Sequence, residues 1–302
     1  MFFLAIYQYY KYIYNINITY INLYKFSKMK KILVPTDFSE QAHNALRAAI
    51  GIARKSNAEI VLLHIIDLPQ ETMDMIKPGY DLPEIMFFKQ HAETRLSEIS
   101  LSSELNGLNV SQILKLGRTF DEVTQVAHDQ NIDLIVMGSH GASGFKEFFI
   151  GSNTEKVIRT SAIPVLTIKG NQADVKFDKV IVANDFTEEA TVGFGRIIDF
   201  LKANGATPHF LMVNTPNNFK PTHVAEELAQ NFLKQFNLEN ATFSIYNDLD
   251  IEKGILNFAE RENADLIAMG THGRKGFARF LNGSISEDLM NHSPRSIVTF
   301  KI

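Results

Sequence analysis

Two loops in this chain set glycine, histidine and hydroxyl residues at a spacing suited to holding phosphate. The first runs Gly138-Ser139-His140-Gly141, nine residues, then Gly151-Ser152; the second runs Gly270-Thr271-His272-Gly273, nine residues, then Gly283-Ser284. With glycine near 7% of residues, such a pattern arises at a given start only a few times in roughly 100,000. Finding it twice is a signal. Glycine allows positive φ and close backbone approach, so successive amides can converge on phosphate oxygens. Each last glycine stands before a segment that reads as helix, 152–160 or 284–291, whose N-terminal amides and dipole favour an anion.

Blander duties compete for some of these residues. Ser152 and Ser284 each stand three residues before a glutamate, Glu155 and Glu287, and so fit a capping box as well as a phosphate contact. His140 and His272 have no paired carboxylate or second ligand at a metal-like spacing, which favours a loop-fixing role over catalysis. Asp37 and Asp185 suit either a nucleoside contact or the positive end of a following helix. Met137 and Met269, just before the loops, read as strand-end core. Gly117-Arg118-Thr119 reads as a turn before a helix. No P-loop lysine with its Ser/Thr, no Ser-Gly-Gly pyrophosphatase loop and no His-Ile-Gly-His adenylyltransferase motif is present. The sequence therefore offers no catalytic residue, and a binding module is expected, with slow ATP hydrolysis or a scaffold carrying relic loops as alternatives.

The elements that must carry these loops are written twice. Lys31-Ile-Leu-Val-Pro-Thr-Asp37-Phe-Ser39 is echoed by Lys179-Val-Ile-Val-Ala-Asn-Asp185-Phe-Thr187, and Asp133-Leu-Ile-Val-Met-Gly138 by Asp265-Leu-Ile-Ala-Met-Gly270. The offset falls from 148 to 132 between these landmarks, which places about 16 extra residues in the first half; the Pro69–Pro83 stretch is their expected home. Ala42, Ala45, Leu46, Ala49, Ile50 and Ala53 form one helical stripe with Ser39 placed to cap it. Ala225, Leu228, Ala229, Phe232, Leu233 and Phe236 repeat the spacing. Near-continuous apolar runs at 60–66 and 210–213, with further runs at 110–116, 163–168, 242–246 and 295–300, read as strands buried in a parallel sheet. Each half alternates strand and helix through five strands, the pattern of a doubly wound α/β fold.

Composition bounds the remainder. A length of 302 residues fits two domains, expected at 29–170 and 171–302, and 45% hydrophobic with 21% charged residues describes a globular chain. A net charge of −4 gives no electrostatic footprint for nucleic acid or anionic membrane. The absence of cysteine excludes disulfides and thiolate chemistry and suits a reducing cytoplasm. Residues 1–28, rich in Tyr, Ile, Asn, Phe and Lys, are too interrupted for a signal peptide or membrane span. Met29, directly before the first strand, is the expected start.

These residues resemble the ATP-binding branch of the universal stress protein family, whose signature is Gly-x-x-Gly, nine residues, then Gly-Ser or Gly-Thr. The resemblance covers essentially all of 29–302. It implies two tandem Rossmann-like domains of the adenine-nucleotide alpha-hydrolase type, each with a five-stranded parallel sheet of order 3-2-1-4-5. ATP or a related adenine nucleotide, alone or with Mg²⁺, would lie across the ends of strands one and four. In the first domain Asp37, led into by Pro35 and Thr36, would meet the nucleoside and Ile65 the adenine by its backbone. Met137 would lie near the base, Gly138, His140 and Gly141 on the ribose and phosphate side, and Gly151, Ser152, Asn153 and Thr154 on the phosphates. In the second, Asp185, Val213, Met269, Gly270, Gly273, Gly283, Ser284, Ile285 and Ser286 take those places. Ala183-Asn184 departs from Pro35-Thr36 there, while Arg274, Lys275 and Arg279 make that loop the more basic. The resemblance further implies a cytoplasmic stress-response or regulatory module, an intramolecular pseudo-dimer through the fifth strands, and compatibility with further homo-oligomers.

Overall fold

The computed structural model describes residues 29–68, 83–139, 150–170, 176–187, 189–191, 193–238, 241–271 and 284–301. The expectations about 1–28 and about the junction after Gly170 fall outside them. So do His140, Gly141, His272, Gly273, Arg274, Lys275, Arg279 and Gly283.

The first half runs β1 (Lys31–Pro35), α1 (Glu40–Ser56), β2 (Glu59–Ile66), α2 (Pro83–Ser100), β3 (Val110–Leu116), α3 (Thr119–Asp129), β4 (Leu134–Gly138), α4 (Ser152–Thr160) and β5 (Val165–Ile168). The second repeats it as β6 (Lys179–Ala183), α5 (Phe194–Asn204), β7 (Thr207–Asn214), α6 (Thr222–Gln235), β8 (Thr242–Asn247), α7 (Ile251–Arg261), β9 (Leu266–Thr271), α8 (Ser284–His292) and β10 (Ser296–Lys301). The strands form one ten-stranded sheet in the order β3-β2-β1-β4-β5-β10-β9-β6-β7-β8, so each half has the order 3-2-1-4-5. Pairing is parallel within each half and antiparallel only where β5 meets β10, with Ile297 opposite Thr167, Val298 opposite Leu166 and Thr299 opposite Val165.

Strand alternation sends residues to two apolar layers. Ile32, Val34, Ile60 and Leu62 face the layer covered by α1 and α5, while Leu33, Val61 and Ile135 face the layer of α3, α4, α7 and α8. Both layers run across the junction, for Leu166 and Ile168 share the first with Val298 and Phe300, and Val165 shares the second with Ile297. The Phe200 and Phe300 rings meet edge to face at 6.1 Å. Among the described residues no helix is long and apolar enough to cross a membrane.

Local chemistry explains the helix ends. Ser39 caps α1 by accepting the Ala42 N–H at 3.2 Å, and Asn57 closes it at φ 56°. In the second half α5 starts only at Phe194, after a single 3₁₀ turn at Glu189–Thr191, so Asp185 does not stand at its N-terminus as Asp37 nearly does for α1. The 16 extra residues are also not confined to one loop. The β2–α2 connection spans 16 residues against seven for β7–α6, α2 has 18 residues against 14 for α6, and the connection that follows has nine against six.

Candidate functional site

Both aspartates sit in a turn that follows the first strand of their domain. Thr36 Oγ1 accepts the Phe38 N–H at 3.0 Å, and Asp37 Oδ1 accepts the Ser39 N–H at 3.0 Å. Asn184 Oδ1 accepts the Phe186 N–H at 2.6 Å, and Asp185 Oδ1 accepts the N–H and hydroxyl of Thr187 at 3.2 and 2.9 Å. Phe38 and Phe186 hold φ of 64° and 56°, a left-handed backbone that a bulky residue adopts only when its surroundings enforce it. Asn184 therefore does the work of Thr36, and the sequence departure at Ala183-Asn184 leaves the turn unchanged.

Around the first turn, Phe38 stacks on His64 at 4.3 Å and carries the Arg95 guanidinium 4.9 Å from its ring centre. His64 Nδ1 donates to the Thr36 carbonyl at 2.8 Å, and burial holds its pKa below the ordinary 6.5. A cleft of about 240 Å³ opens here between the start of α1 and α2, lined by Thr36, Phe38, Ser39, Arg95 and Ile99 among others.

The ladder between β1 and β2 ends with the Thr36 N–H donating to the Leu63 carbonyl at 2.8 Å. Ile65 lies two residues further along β2, so its peptide edge points the same way, into the space above the end of β1. In the second domain the Asn184 N–H donates to the Leu211 carbonyl at 3.0 Å, and Val213 stands two residues on. The backbone positions expected for adenine are thus raised above the first strand in both halves.

The loop after β4 is pinned at both ends. Ser139 N–H donates to the Ile168 carbonyl at 3.0 Å, Gly151 N–H to the Ser139 carbonyl at 2.7 Å, and Thr154 Oγ1 to the Gly138 carbonyl at 3.1 Å. These bonds hold the N-terminus of α4 against the end of β4. At Gly138 an added Cβ would stand 2.9 Å from the Gln41 carbonyl oxygen of α1, so only glycine lets β4 and α1 close to this distance. The capping-box reading fails at Ser152. Gly151 is the N-cap and offers no side-chain cap, Ser152 is already helical, and Glu155 pairs instead with Arg159 at 3.7 Å. The first-turn amides of α4 thus lack a side-chain cap at the N-cap position, which is what an anion needs. Asn153 is half-buried and Thr154 buried.

In the second domain Gly270 lies in β9 opposite Phe300, and Ser284, Ile285 and Ser286 form the first turn of α8. Met137 and Met269 are both buried in the second apolar layer, as strand-end core residues should be. Pro35 ends β1. Gly117 holds φ 150° in the turn before α3, whose N-cap is Arg118.

One residue of this neighbourhood escapes motif reasoning. Lys169, directly after β5, is 4% exposed, and its Nζ has no hydrogen-bond partner among the described residues. The sequence signal is faint but present, since both fifth strands close as Thr-x-Lys: Thr167-Ile168-Lys169 and Thr299-Phe300-Lys301. Among the described residues no group of three or more His, Asp or Glu side chains could hold a metal ion.

Known proteins share the sequence and the fold of this chain. A universal stress protein of Methanocaldococcus jannaschii is 34% identical over 153 residues, which is 46% of this chain and 94% of that protein. A universal stress protein of Bacillus subtilis is 30% identical over 145 residues, 46% of this chain and 98% of its own. The crystal structure of a universal stress protein from Archaeoglobus fulgidus superimposes with a TM-score of 0.68 at 27% identity, covering 91% of this chain and 97% of that one. The model of the universal stress protein family matches twice, over residues 28–169 and 176–301. With two family-length halves, each of strand order 3-2-1-4-5, this chain belongs to the universal stress protein family.

Proposed function

We propose that this protein binds ATP or a related adenine nucleotide and acts in the cytoplasm as a nucleotide-dependent stress-response module. One observation carries the reading: the N-terminus of α4 has a glycine cap without side-chain cover and is tied to the end of β4 through Gly151 N–H and the Ser139 carbonyl. That arrangement offers first-turn amides and the helix dipole to an anion at the carboxyl edge of the sheet, where open α/β folds take their ligands. The raised peptide edge of Ile65 suits hydrogen bonding to a base.

In this reading Ile65 and Asp37 hold the nucleoside end, and Gly138, Gly151, Ser152, Asn153 and Thr154 the phosphate end. Asp185, Val213, Gly270, Ser284, Ile285 and Ser286 do the same in the second domain. The nucleotide supplies a signal through its presence or absence, and the chain's own groups bind and orient it.

Replacing Gly151 with Val places a β-branched side chain at the loop closure. With the second loop already disabled by Gly283→Val, calorimetric titration of ATP into Gly151→Val should show at least a tenfold loss of affinity, while the circular dichroism spectrum stays that of the parent. Unchanged affinity refutes the assignment.

A further inference from the structure

Lys169 sets a physical problem. Its ammonium is enclosed without a hydrogen-bond partner among the described residues, and burial lowers its pKa to about 8. At neutral pH it is still a cation. A long lysine stem ordinarily carries its charge out to water, and a buried charge left unpaired is unfavourable until a counter-charge arrives.

Its placement says where that counter-charge belongs. Gly138 pairs with Ile168 across β4 and β5, and the Ser139 N–H continues the ladder to the Ile168 carbonyl at 3.0 Å, so Lys169 stands beside Ser139. The repeat agrees: in the second domain Lys301 is in register with Thr271, the counterpart of Ser139. Strand alternation puts Lys169 on the face of Val165, in the layer that also holds Val157 and Ile158 of α4. The Ser139 carbonyl in turn accepts the Gly151 N–H at 2.7 Å. Lys169 is therefore next to both closures of the glycine loop, on the side of the sheet where α4 begins. Its own amide is fixed by the Ser296 hydroxyl at 3.2 Å, so the stem leaves from a rigid point.

We infer that Lys169 is a phosphate-binding residue beside Ser139 and the start of α4, and Lys301 its half-buried counterpart beside Thr271, each supplying the cation that neutralises the phosphate chain of a nucleoside polyphosphate. The inference rests on the nucleotide reading above and adds selectivity to it. The first-turn amides of α4 favour any anion of the right shape, whereas a buried ammonium favours a ligand of higher negative charge and rewards the nucleoside alone with nothing.

The test uses the full chain carrying Gly283→Val, titrated with ATP, adenosine and inorganic tripolyphosphate, with and without Lys169→Met. ATP and tripolyphosphate affinities should fall roughly ten- to hundredfold, the span of a charge-assisted hydrogen bond. Adenosine affinity should not change, Lys169→Arg should recover part of the loss, and the ligand-free melting temperature of Lys169→Met should equal or exceed the parent's. Polyphosphate affinities within twofold of the parent overturn the inference, as does a parallel loss of adenosine binding and thermal stability, which marks a purely structural lysine. A parent that binds tripolyphosphate through Lys169 but no adenosine upholds the lysine and removes the adenine reading. A parent that binds neither phosphate ligand overturns both.

Discussion

Phe38 and Phe186 carry positive φ in the same place of two domains, and in each the strain is held by the side chains on either side of it. Strain of this kind, of order 1–3 kcal/mol per residue, persists where the surroundings over-determine the backbone. His64 is one of those surroundings, stacked on Phe38 and bonded to Thr36. Burial depresses its pKa, and the same cause acts on His209. A depressed imidazole pKa means that the unfolded chain takes up the proton first, so these groups' contribution is fully present above pH 6.5 and is lost as pH falls below it. The urea midpoint should accordingly drop between pH 7 and pH 5.5, and His64→Gln should flatten part of that drop. Ser39 as the cap of α1 was legible from its place before the apolar stripe. Lys169 was nearly silent, because Thr-x-Lys at the close of both fifth strands is a short and common pattern, and only burial singles it out.

Helices show where element-level reading succeeds and where it stops. The stripes at Ala42–Ala53 and Ala225–Phe236 mark α1 and α6 by their apolar period, and in α1 the Ser39 cap coincides with it. The late start of α5 left no such mark, since its N-cap is Gly193 at φ 79° with no side-chain cap bond. Gly254 in α7 sets two forces against each other. Alanine is favoured in a helix by about 1 kcal/mol, yet a Cβ there would meet the Val213 side chain of β7, with Cγ2 at 3.1 Å, and Asp248 Cβ at 3.2 Å. Overpacking of this kind costs about 1–3 kcal/mol, so Gly254→Ala should lower the unfolding free energy, read from urea denaturation. A stabilised variant would show that Val213 can move.

At the scale of the whole molecule, the duplicated sequence made the doubled fold and its strand order readable, while the contacts that bridge the halves involve single residues without motif. Lys55 Nζ donates to the Asn204 carbonyl at 3.2 Å, and Arg196 donates to that of Ala162. Asn291, near the end of α8, accepts the Ile150 N–H at 2.9 Å, immediately before Gly151. The helix that begins at the second loop thus ends against the first. Asn291→Ala removes about 1 kcal/mol of hydrogen bonding, and amide exchange at Ile150 should quicken severalfold by NMR while the fold persists. The antiparallel β5–β10 seam has a further consequence for inheritance. In an assembly of two identical chains every substitution strikes both copies of a site, whereas here it strikes one and leaves a sibling intact. The halves can drift separately under one roof, and Thr36 beside Asn184, or long α1 beside short α5, is that drift already recorded.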